Sequence, residues 1–262
     1  MGIVEVTRRD GCAILTLSNE RRRNALTLAM LASMQHALVA LADDTTCHAV
    51  VIKGQGAHFC GGRDISELTS AETLSDEELR SDFDKLRMLF TALHAFPKPL
   101  ISIVRGYALG LGAALVCLSD IVLADETARL GIPEVKVGVA PSITTIALMR
   151  AVSPKAAARL LFTGAIIDAE EARDLGLVSQ VASAAELSTA FNKLMGDLIA
   201  ASPTAVSLCK RLMRSVETTD FPTSLDRAID LAVTSLRTPD ALEGRRAFLE
   251  KRKPTWAPDT KT

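Results

Sequence analysis

Two glycine-rich stretches, each following an apolar segment typical of a strand, are the best candidates for a chemical site. GQGAHFCGGRDI covers residues 54–65, and GYALGLGAALVCLSD covers residues 106–120. Glycine lets a backbone approach a ligand closely, and a helix that begins there offers unpaired N–H groups at its positive end. Two such stretches on neighbouring strands can each direct one N–H at the same oxygen, forming an oxyanion hole. The alternative is that the glycines only allow close packing of helices on strands.

Phosphate-loop, dinucleotide and metal sites are disfavoured, because their sequence patterns are missing. Neither stretch contains the phosphate-binding pattern G-x-x-x-x-G-K-[ST]. GYALGLG lacks G-x-G-x-x-G, and the first predicted strand–helix turn, where a dinucleotide site needs its glycines, reads SNERRRNAL. The four histidines have no metal-ligand spacing. We therefore expect no metal site.

The composition is that of an ordinary enzyme-sized protein. The chain has 262 residues, 48% of them apolar, and a net charge of -1, which disfavours nucleic-acid binding because that needs a basic face. The longest uncharged apolar run, residues 106–118, is too short to cross a bilayer, and the first residues lack the pattern of a signal peptide. Five scattered cysteines without C-x-x-C indicate reduced thiols. We expect a cytoplasmic protein without a membrane or nucleic-acid partner.

Strand and helix patterns alternate in the first half of the chain. IVEVT and CAILTLS are predicted to be strands joined by a turn at Asp10-Gly11. HAVVIKG, PLISIV and DIVLAD are continuous apolar strands, and helical spacing from Leu31 to Leu41 predicts a helix over residues 27–42. This alternation predicts an α/β layer architecture.

Helix-start patterns dominate after about residue 140, so the C-terminal region is predicted to be helical. Each pattern joins a capping residue to a proline or to an acid in the first turn. The pairs are Ser153-Pro154, Asp168 with Glu171, Ser183 with Glu186, Ser202-Pro203 and Thr238-Pro239. We expect an α/β core over residues 1–200 and a helical region over residues 201–262.

The order of six motifs resembles the crotonase (enoyl-CoA hydratase/isomerase) superfamily. These motifs are Asn24-Ala25-Leu26, HFCGGRDI, KPLISIVRGYALGLG, LGIPEVKVGVAP, FTG with DAEEARDLGLVSQV, and AFLEKRKP. The resemblance runs nearly end to end. It implies a ββα superhelical spiral core that binds acyl-CoA, followed by a C-terminal helical region for oligomerisation, in trimers or dimers of trimers.

The resemblance also implies roles for the two glycine stretches and for one acid. The backbone N–H groups of Gly61 and Leu111 match the pair that holds the thioester oxygen of the acyl-CoA in family members. Glu134, in GIPEVKVG, matches a catalytic carboxylate of family hydratases. A second family carboxylate would stand at Ala114 and is absent, so a mechanism needing two acids is in doubt, whereas one carboxylate can still move a proton between two sites.

No other residue is predicted to replace the missing acid. Family dienoyl-CoA isomerases have an Asp eight residues after the glutamate, where this chain has Ser142. Asp64 and Asp120 stand at the ends of predicted elements and look structural, and His58 is expected to be a solvated or packed loop residue.

Matching positions also predict the residues that bind coenzyme A. Lys251, in AFLEKRKP, matches a basic residue that reaches a CoA phosphate, often in a neighbouring subunit, with Phe248 on the same helix face. Alternatively, Lys251 is a charge at the end of a helix that only interacts favourably with the helix dipole. The run of three arginines is alternatively a solvated turn. The remaining predicted contacts are Arg22, Arg23, Ala25, Gly61, Gly62, Arg63 and Asp64.

Three functions are compatible with these motifs. The resemblance implies a hydratase that adds water to a 2-enoyl-CoA, and EVKVGVAPSITTI resembles the segment of branched-chain, methylglutaconyl-type hydratases that use one glutamate. A Δ3,Δ2-enoyl-CoA isomerase can use the same Glu134, and a non-catalytic binding protein is the third alternative. No cofactor is expected, since coenzyme A is part of the substrate.

Overall fold

The structure, a computed structural model, describes residues 2–67 and 73–257 and has the predicted α/β architecture. Its strands are β1 Ile3–Arg9, β2 Cys12–Ser18, β3 Ala49–Gly54, β4 Leu100–Val104, β5 Tyr107–Leu109, β6 Ile121–Asp125, β7 Arg129–Gly131, β8 Ile166–Asp168 and β9 Gln180–Ala182. Its helices are α1 Leu28–Ala42, α2 Asp76–Ala95, α3 Leu111–Leu118, α4 Ser142–Ala151, α5 Pro154–Thr163, α6 Ala169–Asp174, α7 Leu187–Ala200, α8 Pro203–Val216, α9 Phe221–Ser235 and α10 Pro239–Leu249.

The larger sheet has the strand order β1-β2-β3-β4-β6-β9. Its first two strands are antiparallel, and the others are parallel to their neighbours. Asp10 and Gly11 join β1 to β2 with φ values of 46° and 74°, as a two-residue hairpin turn requires. The predicted turn is therefore confirmed.

A smaller sheet has the order β5-β7-β8, with β5 parallel to β7. These strands have only three residues each, too few for an alternating pattern to stand out, and the sequence analysis did not predict them. After β4 joins the larger sheet, the chain adds β5 to the smaller sheet and then begins α3. Each glycine-rich stretch is thus placed at a junction between the two sheets.

The two faces of the larger sheet differ. Leu15 of β2, together with Val50 and Ile52 of β3, faces a hydrophobic core completed by buried side chains of α1 and α2. Successive strand residues point to opposite faces, so Ile14 and Lys53 lie on the other side.

Most helix starts follow the predicted caps. The side chains of Ser153, Asp168, Ser202 and Thr238 each accept a hydrogen bond from the first turn of the following helix, as predicted. Thr27, where the predicted first helix was expected to begin, caps α1 in the same way. The helix predicted to start after Ser183 begins later, at Leu187. Residues 184–186 form a turn instead, in which the Ser183 hydroxyl donates to the Glu186 carboxylate.

Helix α2 was missed in the sequence analysis. Its start carries a capping box, in which the Ser75 side chain accepts from Glu78 N–H and the Glu78 carboxylate accepts from Ser75 N–H. The S-x-x-E spacing with three acids in the first turn is the signal that could have revealed it.

The chain divides into two compact units. The first contains residues 1–96 and 100–191, with both sheets; the second contains residues 97–99 and 192–262. This division falls within α7, and the predicted functional boundary at residue 200 stays a prediction. In the second unit, Lys210 is buried and its ammonium donates to the Lys98 carbonyl at 2.7 Å, while the Ser202 hydroxyl donates to the Asp240 carboxylate at 2.6 Å.

Candidate active site

Asn24 joins the two loops that begin the site. Its amide group is fully buried and donates to the carbonyls of Gln55 and His58, at 2.8 and 2.7 Å, while its oxygen accepts from Asn19 N–H at 2.9 Å. Asn24 has φ of 56°, a left-handed conformation that asparagine tolerates better than most residues. The loop before α1 is thereby fixed against the loop after β3.

The Gly61 N–H is occupied in the structure, which corrects its predicted role as an oxyanion donor. It donates to the Arg23 carbonyl at 2.7 Å. Further along, Leu26 N–H donates to the Gly62 carbonyl and Asp64 N–H donates to the Leu26 carbonyl, so Arg63 is bridged to Leu26 as in a parallel sheet. In that arrangement the N–H of the bridged residue points away from its partner. The Arg63 N–H has no hydrogen-bond partner within residues 2–67 and 73–257.

Leu111 supplies a second free N–H. It is the first residue of α3, whose N-cap is Gly110 with φ of 52°, and its N–H has no partner in the described part of the chain. Gly62 lies beside it: a Cβ added to Gly62 would be 3.1 Å from the Leu109 carbonyl oxygen and 3.9 Å from the Leu111 nitrogen. The structure therefore brings the two glycine-rich stretches together at the start of α3.

The smaller sheet positions Glu134 near the start of α3. Gly110 N–H donates to the Gly131 carbonyl at 2.9 Å where β5 pairs with β7, and a 3-10 helix over Pro133–Val137 follows. A Cβ added to Gly110 would be 2.5 Å from Oε1 of Glu134. The carboxyl group thus lies directly against the residue that precedes Leu111.

The environment of Glu134 suits a proton-transfer group. Its Oε2 is buried and has no hydrogen-bond partner among the described residues. Burial raises the pKa of the carboxyl above its usual value, and a hydrogen bond from its own backbone N–H offsets part of that effect. A partly desolvated carboxyl with a raised pKa is typical of a catalytic acid or base.

Ala114 lies in the same helix, three residues after Leu111, and is fully buried. It provides a methyl group where the family resemblance placed a second carboxylate. Glu134 is therefore the carboxyl that the structure places at the start of α3.

Arginine and aromatic side chains surround the loop before α1. The Arg23 guanidinium lies over the Tyr107 ring at 5.0 Å from its centroid, and the centroid of the His58 ring is 5.1 Å from that of the same Tyr107 ring. His58 Nδ1 also accepts from Tyr107 N–H at 3.3 Å. His58 is thus engaged with the loop, as expected for a packed histidine.

Asp64 is held by its neighbours. Burial would raise the pKa of its carboxyl, but hydrogen bonds from Ser66 and Arg22 outweigh burial and hold that pKa below its usual range. The Arg22 guanidinium contacts both Asp64 and Ser66. Asp64 therefore orders the loop as an ionised residue, as the sequence predicted for a structural acid. Ala25, another predicted CoA contact, is buried.

The Arg63 side chain was predicted to touch substrate and is instead largely buried under α2. Its guanidinium lies 5.5 Å from the Phe83 ring centroid, and its Nη2 is 3.6 Å from an Asp82 carboxylate oxygen. Its Nε is buried without a partner in the described residues. The side chain thus anchors the loop, while the backbone N–H at the same residue stays free.

An apolar groove of about 810 Å³ lies between α2 and α4, at the C-terminal end of α3. Leu79, Phe83, Phe90, Leu118, Ile143 and Ile146 are among the residues that line it. Phe83 links the groove to the loop that carries Arg63. Ser142, which stands in the position considered for a second acid, also lines it.

Lys251 belongs to the second compact unit, directly after α10. It has φ of 55°, and its N–H donates to the Phe248 carbonyl at 3.2 Å. Phe248 is highly exposed. The predicted contact of Lys251 with a CoA phosphate stays a prediction.

Residues 2–67 and 73–257 also show no sign of a metal site or of a membrane-spanning helix. No group of three or more His, Cys, Asp and Glu side chains in these ranges is placed to hold a metal ion. No helix there is long and apolar enough to span a membrane.

Known proteins resemble this chain over nearly its whole length. A family model described as enoyl-CoA hydratase/isomerase matches residues 7–259. A 2,3-dehydroadipyl-CoA hydratase of Escherichia coli is 34% identical over 95% of this chain and 96% of its own, and a crotonyl-CoA hydratase of Syntrophomonas wolfei is 32% identical over 94% of each. The crystal structure of an enoyl-CoA hydratase from Mycobacterium smegmatis superposes with a TM-score of 0.91 at 33% identity, covering 97% of this chain and 98% of that one.

Proposed function

The chain belongs to the enoyl-CoA hydratase/isomerase family, and from that premise we propose that it adds water across the double bond of a 2-enoyl-CoA. The family assignment and the crotonase-like fold predicted from the sequence are confirmed. The observation that supports this reaction is the contact of Glu134 with Gly110, because a half-buried carboxyl then lies beside the residue that precedes the free N–H of Leu111.

The thioester oxygen is proposed to accept from the N–H groups of Arg63 and Leu111. Both lack partners in the described ranges, whereas Gly61 N–H is engaged with Arg23. Negative charge forms on this oxygen as the thioester becomes an enolate, and preorganised backbone donors stabilise it without moving. One such donor is worth about 3–4 kcal/mol of transition-state stabilisation.

Glu134 is proposed to act first as a base and then as an acid. Its carboxylate takes a proton from a water molecule as the water oxygen bonds to C3, and the same carboxyl returns a proton to C2 when the enolate collapses. The sum is addition of one water molecule with no change in the protein. A single group suffices because the two transfers are sequential. Ala114 leaves no second carboxylate at this part of α3.

The acyl chain is proposed to extend along α3 into the groove at Leu118. α3 has eight residues, which corresponds to about 12 Å of helix at 1.5 Å per residue. The groove volume of about 810 Å³ favours an acyl group longer than four carbons or a branched one. Two relatives, 2,3-dehydroadipyl-CoA hydratase and crotonyl-CoA hydratase, are named for acyl groups of different length. Their names support the hydration reaction but do not indicate one acyl length for the substrate.

A Δ3,Δ2-enoyl-CoA isomerase is the second candidate, and the fully buried Ala114 favours it. An isomerase moves one proton from C2 to C4 or the reverse, which one carboxyl can do without a water molecule. A binding protein without catalysis is less well supported, because the unpartnered Oε2 and raised pKa of Glu134 have no use in binding alone.

We further propose that the protein assembles into trimers or dimers of trimers and needs no cofactor besides the CoA of its substrate. The second unit exposes large apolar side chains, which typically mark interfaces. They include Phe221, Leu225, Ile229, Phe248 and Leu249. In such an assembly Lys251 would reach a CoA phosphate in a neighbouring subunit. A cytoplasmic location is also a proposal, made from the reduced cysteines.

The deciding experiment incubates the enzyme with matched 2-enoyl-CoA and 3-enoyl-CoA thioesters in D₂O and follows the products by mass spectrometry. A 3-hydroxyacyl-CoA that carries deuterium at C2 identifies a hydratase. Conversion of a 3-enoyl to a 2-enoyl thioester without added water identifies an isomerase. Binding of both thioesters with no product would contradict both reactions, and the variant Glu134→Gln serves as the control for turnover.

A further inference from the structure

A second cavity, of about 420 Å³, lies on the face of the larger sheet opposite the hydrophobic core. Ile14 of β2, Val51 of β3 and Ile103, which is in β4, line its base, while their strand neighbours Leu15, Val50 and Val104 belong to the core on the other face. Phe191, in the first unit, lines its side. The cavity therefore lies across the sheet from α1 and α2.

Three cationic side chains line this cavity, namely Arg9, Lys53 and Arg105, and no Asp or Glu is among its described lining residues. Lys53, at the carboxyl end of β3, has no carboxylate partner in residues 2–67 and 73–257. The Lys53 ammonium is thus the cation of this lining that no carboxylate neutralises in the described residues, and a bound anion would complete its charge pairing.

The two arginines are oriented by acids outside the lining. Arg105 Nε donates to the fully buried Asp125 carboxylate at 2.8 Å, and Arg9 Nε donates to Asp10 at 3.0 Å. These contacts leave the Nη groups of both arginines without partners among the described residues. A guanidinium fixed through Nε presents its remaining N–H groups in a fork that matches the oxygens of a phosphate.

We propose that this cavity binds the phosphate group of a small phosphorylated molecule. The lining offers two guanidinium groups, one ammonium and the Ser188 hydroxyl as donors for the oxygens of a phosphate dianion. The volume exceeds that of a free phosphate ion and lies within the range of small-molecule sites. The apolar base of Ile14, Val51 and Ile103 fits the carbon part of the molecule.

The phosphate cavity is distinct from the proposed catalytic centre. Glu134, Leu111 and Arg63 do not line it. His58 lines the cavity, and its Nδ1 accepts from Tyr107 N–H. The proposal does not depend on the hydratase reaction, so binding is measured directly.

The test is isothermal titration of the full-length protein with inorganic phosphate and, in parallel, with glycerol 3-phosphate, at constant ionic strength. The variants are Lys53→Gln, Lys53→Arg and, as the matched control, Lys155→Gln on the exposed start of α5. We expect saturable binding to the native protein, on the order of tenfold weaker binding to Lys53→Gln, and near-native binding to Lys53→Arg and Lys155→Gln. Tighter binding of glycerol 3-phosphate than of inorganic phosphate would support a phosphate ester as the ligand. Tighter binding of inorganic phosphate would contradict the proposal, because the free ion would then be the ligand.

A second titration is made with the catalytic site filled by free coenzyme A. The proposal requires that phosphate binding persists there with the same affinity. Loss of binding in the presence of coenzyme A would assign the cavity to the coenzyme site and overturn the proposal. Equal weakening by Lys53→Gln and Lys155→Gln, or no saturable binding to the folded native protein, would also overturn it. Circular dichroism of each variant establishes that it is folded.

Discussion

Gly110 and Glu134 are in direct contact at the centre of the proposed site. The Glu134 carboxyl occupies the space that a side chain at residue 110 would need, since a Cβ there would be 2.5 Å from Oε1. The glycine is also required by its φ of 52°, a left-handed conformation that other residues rarely adopt. One residue therefore serves both the start of α3 and the position of the carboxyl.

This contact predicts the effect of Gly110→Ala. The added methyl group must displace the Glu134 carboxyl, and a shift of about 1 Å in a catalytic group costs about a hundredfold in rate. The matched control is Gly138→Ala, because Gly138 also has positive φ, 77°, but has open space around its Cβ position. Both variants should lose about 1 kcal/mol of stability from backbone strain, and only Gly110→Ala should lose the hundredfold in kcat. Equal kcat values for the two variants would contradict the contact.

The oxyanion proposal predicts different behaviour for two substitutions of Leu111. Leu111→Ala keeps the N–H and should retain most of the activity. Leu111→Pro removes the N–H at the first residue of a helix, where proline is tolerated, and should lower kcat by about a hundredfold or more. Steady-state kinetics on both variants, with circular dichroism for folding, is the measurement. Similar kcat values in two folded variants would show that the donor is elsewhere.

Glu134→Gln tests the proton-transfer role. Glutamine keeps the size of the side chain but cannot accept the proton, so kcat should fall by about 10²–10⁴-fold. Binding of a non-reacting acyl-CoA, measured by titration, should stay within a few-fold of native because the backbone donors are unchanged. The control Glu126→Gln changes an exposed acid before β7 and should have native kcat. A Glu134→Gln enzyme with native turnover would exclude both the hydratase and the isomerase mechanism.

Burial of Glu134 predicts the pH dependence of activity. The reaction needs the carboxylate, and burial holds its pKa above the usual value of 4.5. The acidic limb of the kcat/KM profile should therefore have its midpoint above 4.5, with activity lost as pH falls through it. A midpoint at or below 4.5 would show that the free enzyme does not desolvate this group.

The same raised pKa has a consequence for stability. The folded state holds a proton on Glu134 at pH values where the unfolded state has released it, so the free energy of unfolding decreases as pH rises from 4.5 through the folded-state pKa. Glu134→Gln removes this contribution, and its urea midpoint should vary less over that interval than the native midpoint. Parallel curves for the two proteins would contradict the linkage.

Asn24 is expected to be the main polar support of the site loops. Asn24→Ala leaves the carbonyls of Gln55 and His58 and the Asn19 N–H without their buried partner. Unsatisfied buried groups cost about 1–3 kcal/mol each, and we expect a total loss of about 3 kcal/mol in the free energy of unfolding. The exposed Asn192 of α7 provides the control variant Asn192→Ala, which should change stability by less than about 0.5 kcal/mol. Urea unfolding measures both.

Local patterns predicted much of the fold. The Asp10-Gly11 turn, the apolar strands and the capping residues act over a few neighbouring residues, so their outcome can be inferred without knowing the tertiary structure. The short strands β5, β7 and β8 could not be inferred in this way, because three residues form a strand only where a partner is already in place. α2 differs from these short strands, because its capping box is a local pattern that the sequence shows directly.

The candidate site likewise combines features that local motifs predict with features that depend on the tertiary structure. Glu134 and the N–H of Leu111 were predicted from motifs, and in the structure both lie next to Gly110, whereas their catalytic roles stay predictions. The choice between Gly61 and Arg63 as the donor depends on which N–H is already used, and Gly61 N–H is used by Arg23, a residue far away in the sequence. The contact between Arg63 and Phe83 involves two segments that no short pattern connects.

The proposed charge-stabilising donors at Arg63 and Leu111 are main-chain groups, and this affects how such a protein can diversify. The path of the chain holds the donors, through the bridges of Arg63 to Leu26 and of Cys60 to Ala108, and their own side chains are not consumed by the chemistry. Substitution at residue 111 can therefore reshape the surroundings of an acyl group while the backbone donors that stabilise the enolate are retained. New substrate preferences can arise one side chain at a time, without an inactive intermediate.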